Sequence, residues 1–249
     1  MKKAVMYGGG NIGRGFIGAL LSKSGYEVTF IDVAEPVVKT LQDNRCYPLR
    51  YVSSEGHTDV KVENVTAVNG NDLEAASDVI ANCDIMATAV GARILKFIVP
   101  NVVAGIRKRW ANNGGPLNII ICENLNDANK IFEGMLKEQM TPEEQKKFDE
   151  TVGLVEASIG RMVPVQTDEM KDGEPMRVCV ERYGYLPTDK DFFLLTRQHS
   201  RAKFLQSQIW FRLSRLISLS SVSSSSTTWD MQHAHTSADI SDLIISISQ

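Results

Sequence analysis

The sequence predicts an α/β protein built on a doubly wound parallel sheet. Three observations lead to this prediction. Short apolar stretches alternate with helical patterns, a glycine-rich turn follows the first apolar stretch, and an acidic residue ends the second. Such alternation places helices on both faces of a parallel sheet, because successive parallel strands need a crossover connection.

Each predicted element has a local reason. Residues 3–7 are apolar and bounded by glycine, as in a buried parallel strand. Residues 11–25 carry apolar side chains at helical spacing and end at Gly25, and a second helix begins with Pro36 in its first turn. Residues 46–68 are predicted to form a β-hairpin that turns at 53–56. That second helix is predicted at 35–44. The remaining predicted strands are 26–32, 84–90, 116–122, 151–159 and 176–184, and the remaining predicted helices are 72–83, 94–110 and 141–150.

The turn after the first strand carries the pattern G-x-G-x-x-G at Gly8, Gly10 and Gly13. Gly8 permits the tight turn, Gly10 lets the backbone approach a pyrophosphate, and Gly13 lets the helix pack closely on the strand. Asn11 and Ile12 lie at the helix N-terminus, where free N–H groups and a partial positive charge attract phosphate. This arrangement predicts a Rossmann-type dinucleotide-binding fold.

Asp32 ends the second strand, 19 residues after Gly13. Its carboxylate can accept hydrogen bonds from the adenosine ribose hydroxyls and would repel a 2′-phosphate, which favours NAD over NADP. There are two alternative interpretations: a glycine-rich turn without a ligand, and a site for SAM or another adenine nucleotide. Strand, glycines, helix, second strand and acid all occur in register, and this favours a bound cofactor.

Two further stretches follow strands at the edge where an open sheet places its ligands. Thr88, Ala89 and Val90 come at the end of the fourth strand of the sheet, and we expect them to line the cofactor site. Glu123 and Asn124 follow the fifth strand, and we expect them in the crevice near the nicotinamide as supporting active-site residues. The N-cap and first turn of the next helix would explain these two residues equally well.

The strand that follows adds Glu156, Ser158 and Arg161 to the same edge. Arg161 offers a cation for a substrate anion, although arginines more often lie at the surface.

Composition excludes several classes of function. The 249 residues carry a net charge of -3, which gives no indication of a nucleic-acid partner. The longest apolar stretch, 97–106, is too short to span a bilayer and contains a proline, and the N-terminus lacks a signal-peptide core. The four cysteines are scattered without metal-ligand spacing, which predicts no metal site and reduced, mostly buried thiols. We therefore expect a cytoplasmic protein.

Longer motifs point to a family. The stretches GGGNIGRGFIG, ATAVG, PLNIIICEN and VGLVEASIGRMVP closely resemble the mannitol-1-phosphate 5-dehydrogenase branch of the polyol-specific long-chain dehydrogenase family, in order from residue 1 to about 193. The resemblance implies NAD-dependent, metal-independent interconversion of D-mannitol 1-phosphate and D-fructose 6-phosphate. A related polyol or hexuronate dehydrogenase is the alternative enzyme, and a non-catalytic NAD-binding module with a partner-binding tail is the alternative from another class.

The resemblance also implies a general base that this chain does not show. In the family a lysine within K-x-x-x-x-N-x-x-H, in a helical C-terminal domain, takes the hydroxyl proton. Residues 194–249 contain no such pattern, since Lys203 is followed five positions later by Gln208. The sequence therefore identifies no catalytic base, and it predicts an NAD-binding domain at 1–193 followed by an unrelated tail at 194–249.

The tail differs from the rest in composition. All 18 glycines and all 8 prolines precede residue 194, and serine is dense after it. The tail has three interpretations: an amphipathic basic helix that docks on a membrane or partner, a disordered serine-rich end, or translation in the wrong reading frame.

The genetic code favours the third. In the displaced frame, each codon combines the last base of one codon of the tail with the first two bases of the next. Read in this way, the codons of Trp229 to Gln232 must encode Gly, then His or Tyr, then Ala. The family's motif continues with glycine, histidine and alanine. Codons permitted for residues 223–242 can encode the whole motif K-x-x-x-x-N-x-x-H when they are read in the displaced frame.

Overall fold

The structure, a computed structural model, describes residues 1–188, 193 and 194. Almost all of the predicted tail, including Lys203 and Gln208, lies outside the described residues. The strands of the described part are β1 (Lys2–Tyr7), β2 (Tyr26–Asp32), β3 (Cys46–Ser53), β4 (Gly56–Glu63), β5 (Val65–Asn69), β6 (Ile85–Thr88), β7 (Leu117–Ile121), β8 (Val152–Glu156) and β9 (Val178–Val180).

The first helix has two parts, a π-helical segment at Gly13–Gly18 and the α-helix α1 that continues it. The α-helices are α1 (Ala19–Lys23), α2 (Glu35–Asn44), α3 (Leu73–Ala81), α4 (Leu95–Ala111), α5 (Ala128–Lys137), α6 (Pro142–Thr151) and α7 (Asp168–Lys171).

Six strands form one parallel sheet in the order β5-β2-β1-β6-β7-β8. The chain moves outward from β1 through β2 to β5, then returns to the other side of β1 and continues through β6, β7 and β8. The strand order therefore reverses between β1 and β6, and open sheets bind ligands outside the carboxyl ends of their strands at such a reversal. The predicted Rossmann-type fold is confirmed.

A second, three-stranded sheet has the order β4-β3-β9. The predicted hairpin at 46–68 is correct for β3 and β4, which pair antiparallel, but wrong for its last residues. Asn64 adopts φ 57°, and the chain then leaves the hairpin so that β5 pairs parallel with β2. This exit buries Val65 and Ala67 in the main sheet. Burial of their apolar side chains there stabilises the fold more than their exposure on a hairpin would.

Helix ends follow their predicted signals. Thr141 accepts a hydrogen bond from Glu144 N–H while the Glu144 carboxylate accepts one from Thr141 N–H, so the helix predicted at 141–150 begins with a complete capping box. The helix at 72–83 begins after Asp72, whose carboxylate accepts from Ala75 N–H. Gly25 follows α1 with φ 86°, as predicted for a glycine that stops a helix.

The parallel sheet separates two apolar cores. On one side the π-helical segment and the small sheet pack through Phe16, Phe30 and Tyr47, all fully buried. On the other side α3, α4 and α5 pack through residues such as Ile80 and Phe132. All four cysteines are free thiols, and Cys46 alone among them is not fully buried. No helix of the described residues is long and apolar enough to cross a membrane.

Gly18 and Gly134 give a matched pair of helical glycines for testing the first core. A Cβ at Gly18 would collide with the Phe30 ring, whereas a Cβ at Gly134 would meet open space. We expect Gly18→Ala to lower the free energy of unfolding by about 1–3 kcal/mol. Gly134→Ala should raise it by about 0.5–1 kcal/mol, because alanine loses less backbone entropy in a helix. Urea unfolding of both variants checks the prediction, and equal effects would contradict it.

Candidate dinucleotide-binding site

The glycine-rich turn lies at the carboxyl end of β1. Gly8 adopts φ 106°, and a Cβ there would lie 2.5 Å from the carbonyl oxygen of Ala89. A Cβ at Gly13 would collide with the carbonyl oxygen of Gly8. Side chains are therefore excluded at Gly8 and Gly13 by the protein's own backbone, because the turn, the first helix and the loop after β6 come into direct contact there.

Gly10 differs from its neighbours in the turn. It is exposed, and apart from Gly10 itself and its two chain neighbours, no atom of the described residues lies within 4 Å of the position that its Cβ would take. Protein packing therefore does not require glycine at this position. Space above an exposed glycine at the N-terminus of a helix is what a phosphate group needs for close approach to backbone N–H groups.

Asp32 stands beside the turn at the end of β2. Its Oδ2 accepts a hydrogen bond from Gly9 N–H at 2.6 Å, and its Oδ1 accepts one from Ala34 N–H at 2.8 Å. The carboxylate remains half-exposed, so it retains acceptor capacity toward a ligand. Asp32 thus holds the turn in place and also faces the space beside it.

The π-helical segment after the turn is braced by side chains from elsewhere in the chain. Tyr47 of β3 donates its hydroxyl hydrogen to the carbonyl oxygen of Arg14 at 2.6 Å, and Arg161 donates to the carbonyl oxygen of Gly15 at 2.9 Å. Two carbonyl oxygens of the π-helical segment thus accept hydrogen bonds from side chains outside it. The sequence pattern predicted a helix here but not this variant.

Arg14 links the turn to the small sheet. Its guanidinium donates to the carbonyl oxygen of Gly9 at 2.7 Å and to that of Met176, just before β9, at 2.6 Å. Arg14 is buried, and burial lowers the pKa of its guanidinium. Its charge is therefore committed to backbone carbonyls inside the protein.

A second network, which the sequence analysis did not identify, supports the end of β1. The Asn101 amide of α4 donates to the hydroxyl oxygen of Tyr7 and to the carbonyl oxygen of Gly70, each at 2.7 Å. Burial raises the pKa of the Tyr7 hydroxyl. Tyr7 and Asn101 lie 94 residues apart, and no local pattern in the sequence connects them.

The loops after β6 and β7 are joined by a carboxylate. Glu123 is buried, and its two oxygens accept hydrogen bonds from Val90 N–H at 3.0 Å and Gly91 N–H at 2.7 Å. Helix α5 begins only at Ala128, with Asp127 as its N-cap residue. The interpretation of Glu123 as a cap of the next helix is therefore wrong, because its carboxylate serves a different loop.

These loops form one wall of a cleft of about 710 Å³. The cleft opens at the carboxyl ends of β6, β7 and β8, next to the point where the strand order reverses. Glu123 is one of two carboxylate side chains among the described residues that line it; the other is Glu156, which is half-buried. The described residues that line the cleft are Ile12, Ala89, Gly91, Cys122, Glu123, Asn124, Leu125, Asn126, Glu156, Ala157, Ser158, Ile159, Pro187 and Thr188.

Comparison with known proteins identifies this architecture. The family model of the mannitol dehydrogenase Rossmann domain matches residues 2–197. The chain belongs to this family. It is 36% identical over 188 residues to the mannitol-1-phosphate 5-dehydrogenase of Lactiplantibacillus plantarum, covering 75% of this chain and 48% of the relative. It is 38% identical over 181 residues to the enzyme of that name from Bacillus subtilis, covering 72% and 47%.

A solved structure shows the same fold. The mannitol 2-dehydrogenase of Pseudomonas fluorescens, in ternary complex with NAD and D-mannitol, superposes with a TM-score of 0.65 at 11% identity, covering 76% of this chain and 49% of that one. This chain spans about half the length of the curated relatives it matches.

The predicted site residues of this family member fall into two groups. The structure brings Asn11, Ile12 and the three fingerprint glycines together with Asp32 around the turn, and it brings Ala89, Glu123 and Asn124 together around the cleft. Thr88 is fully buried, so its side chain does not reach the cleft surface, and Val90 contributes its N–H to Glu123. Asn124 is exposed at the cleft.

Arg161 does not face the cleft as a binder of substrate anions. It is buried, donates to the carbonyl oxygens of Gly15 and Tyr183, and stacks over the Phe16 ring with its guanidinium carbon 4.6 Å from the ring centroid. Burial lowers the pKa of its guanidinium. Arg161 therefore supports the first helix from inside, which fits neither of its two interpretations, a substrate-binding cation or a surface residue.

Two buried tyrosines test the bracing of the π-helical segment. Tyr47→Phe removes the hydrogen bond to Arg14 and leaves a buried carbonyl oxygen unpaired, so we expect the free energy of unfolding to fall by about 1–3 kcal/mol. The Tyr26 hydroxyl oxygen is buried without a hydrogen-bond partner among the described residues. Tyr26→Phe makes the same chemical change and should leave stability unchanged or slightly higher. Urea unfolding measures both, and a loss of stability in Tyr26→Phe matching that of Tyr47→Phe would contradict the prediction.

Proposed function

We propose that this chain provides the nucleotide-binding part of a cytoplasmic NAD-dependent oxidoreductase that interconverts D-mannitol 1-phosphate and D-fructose 6-phosphate by hydride transfer. The observation that carries the proposal is the open turn at Gly10, which lies between a helix N-terminus and the Asp32 carboxylate. The family match and the named activity of the relatives support the substrate class.

The residues present fit a dinucleotide at three places. The turn at Gly8 and Gly10 and the helix N-terminus after it would hold the pyrophosphate through backbone N–H groups. Asp32 would accept hydrogen bonds from the adenosine ribose, and its negative charge disfavours a 2′-phosphate, so we assign NAD. The cleft beside Ile12 and Ala89 would receive the nicotinamide end and the sugar phosphate.

NAD supplies the hydride acceptor for alcohol oxidation when it is bound. The chain's own contribution is position and environment. Apolar residues such as Ile12 and Ile159 exclude water from the cleft wall, and Asn124 offers an exposed amide to the substrate's oxygen atoms. Glu123 is occupied by two N–H donors, so it is poorly placed to remove the hydroxyl proton.

Removal of the hydroxyl proton needs a general base, and the family resemblance implies a lysine in that role. None of the described residues lining the cleft is a lysine or a histidine. We therefore propose that the base belongs to the part of the enzyme encoded after residue 193, and that residues 194–249 are that part translated in a displaced reading frame. The forced Gly-(His/Tyr)-Ala reading at Trp229 to Gln232 supports this proposal.

Gly10→Ala tests the cofactor site without disturbing the fold. The added methyl group would project into open space, so we expect unchanged stability but roughly tenfold or greater weakening of NADH binding, because the pyrophosphate loses close approach. Gly115→Ala is the matched control, since a Cβ there also meets open space but lies away from the turn. Titration of NADH fluorescence measures both, and unchanged binding in Gly10→Ala would contradict the assignment.

The reading-frame proposal predicts binding without turnover. The 249-residue chain should bind NADH yet show little or no oxidation of mannitol 1-phosphate in an assay of NADH formation, because the general base is absent. Sequencing the gene across codon 193 and restoring the other frame should recover activity. An early stop codon in the other frame, or robust turnover by the present chain, would contradict the proposal.

A further inference from the structure

Glu123 combines burial, negative charge and a place in the cleft wall. It is 5% exposed, yet it lines the cleft that opens beside the glycine-rich turn. Because each of its oxygens accepts a backbone N–H, the carboxylate has the bonding pattern of its ionised form. The cleft wall thus carries a negative charge that is held in place.

This charge has no counter-ion in the described part of the chain. The ion pairs formed by residues 1–188 include none with Glu123. Two backbone N–H dipoles stabilise the carboxylate but leave its net charge in place. Buried charges are normally paired, because desolvation costs several kcal/mol when nothing offsets it. An unpaired carboxylate in a cleft wall is therefore suited to a ligand that brings a positive charge.

The two forms of the proposed cofactor differ in this respect. The nicotinamide ring is positively charged in NAD⁺ and neutral in NADH, while the rest of the molecule is identical. Resting on the proposed function, we infer that the Glu123 carboxylate makes the cleft favour the oxidised ring, so that it sets the relative affinities for NAD⁺ and NADH. A charge at this position changes the affinity for NAD⁺ relative to that for NADH. Asp32, at the adenosine end, affects the affinities for both forms alike.

Glu123 also fixes the wall on which the ring would rest. Its bonds to Val90 and Gly91 orient the loop after β6, in which Gly91 adopts φ 93° and the Ala89 carbonyl oxygen closely approaches Gly8. The carboxylate thus joins the β7 loop to the phosphate-binding turn through one intervening loop. Loss of this positioning would weaken the binding of both cofactor forms, whereas loss of the charge would selectively weaken the binding of NAD⁺.

The experiment compares dissociation constants for NAD⁺ and NADH in the full-length chain, by calorimetry and by NADH fluorescence. Glu123→Gln is expected to weaken the binding of NAD⁺ roughly tenfold more than the binding of NADH. This magnitude is that of a charge–charge interaction at an effective dielectric constant of about 20, reduced in part by the two N–H groups that bond to the carboxylate. Glu123→Asp keeps the charge and should preserve the wild-type ratio even where both affinities fall. Glu156→Gln removes the more exposed carboxylate of the same cleft and should change the ratio less than about threefold, because solvent screens it.

The outcomes are distinguishable. Failure of the wild-type chain to bind either form overturns the proposed function itself. Binding of both forms with an equal change in Glu123→Gln, or a ratio altered equally by Glu123→Asp, overturns the inference about charge and leaves the cofactor site standing. If thermal unfolding shows that Glu123→Gln does not fold, the wild-type ratio decides: NADH binding more than about tenfold tighter than NAD⁺ contradicts a cleft that favours the oxidised ring.

Discussion

The close approach of Gly13 to the carbonyl oxygen of Gly8 is the constraint on which the rest of the site depends. It brings the first helix down onto the end of β1, and the contact of Gly8 with Ala89 brings the loop after β6 onto the same turn. The point where the strand order reverses thereby becomes a packed junction of three backbone segments. A side chain at either glycine would push these segments apart, because its Cβ would lie 1.9 Å from the Gly8 carbonyl oxygen or 2.5 Å from the Ala89 carbonyl oxygen.

A junction made of backbone needs side chains from elsewhere to hold its polar groups. Arg14 and Tyr47 bond the carbonyl oxygens around the turn, and Arg161 bonds that of Gly15. These bonds lie between the main sheet and the small sheet, where water is excluded and an unpaired carbonyl oxygen would cost about 1–3 kcal/mol. The small sheet therefore has a function within the fold, since Tyr47 of β3 and the Met176 carbonyl just before β9 both bond to Arg14 of the first helix.

The same logic separates structural polar residues from residues left open to a ligand. Arg161 looks suited to anion binding in the sequence, but in the structure it is buried and donates to the carbonyl oxygens of Gly15 and Tyr183. Glu123 is likewise taken by backbone N–H groups, although its charge still reaches the cleft. Gly10 and Asn124 are exposed at the turn and the cleft, respectively. A polar residue at a site edge is thus informative only after its internal partners are known.

The sequence alone determined the features that depend on a few neighbouring residues. The glycine spacing predicted the turn, the threonine and proline at 141–142 predicted the start of α6, and the alternation of elements predicted the parallel sheet, because sterics and hydrogen bonding within one turn or one strand decide them. It also carried the family resemblance, which the match over residues 2–197 confirms.

Only the tertiary structure decided which polar groups meet across the fold. Arg14 and Met176 are 162 residues apart, and Glu123 reaches Val90 over 33 residues. The departure of β5 from the predicted hairpin has the same origin, since its pairing partner β2 lies more than thirty residues earlier in the chain. Periodicity and capping patterns extend over about one turn or a few residues, so contacts between distant residues leave no local signal, and packing of the whole chain selects them.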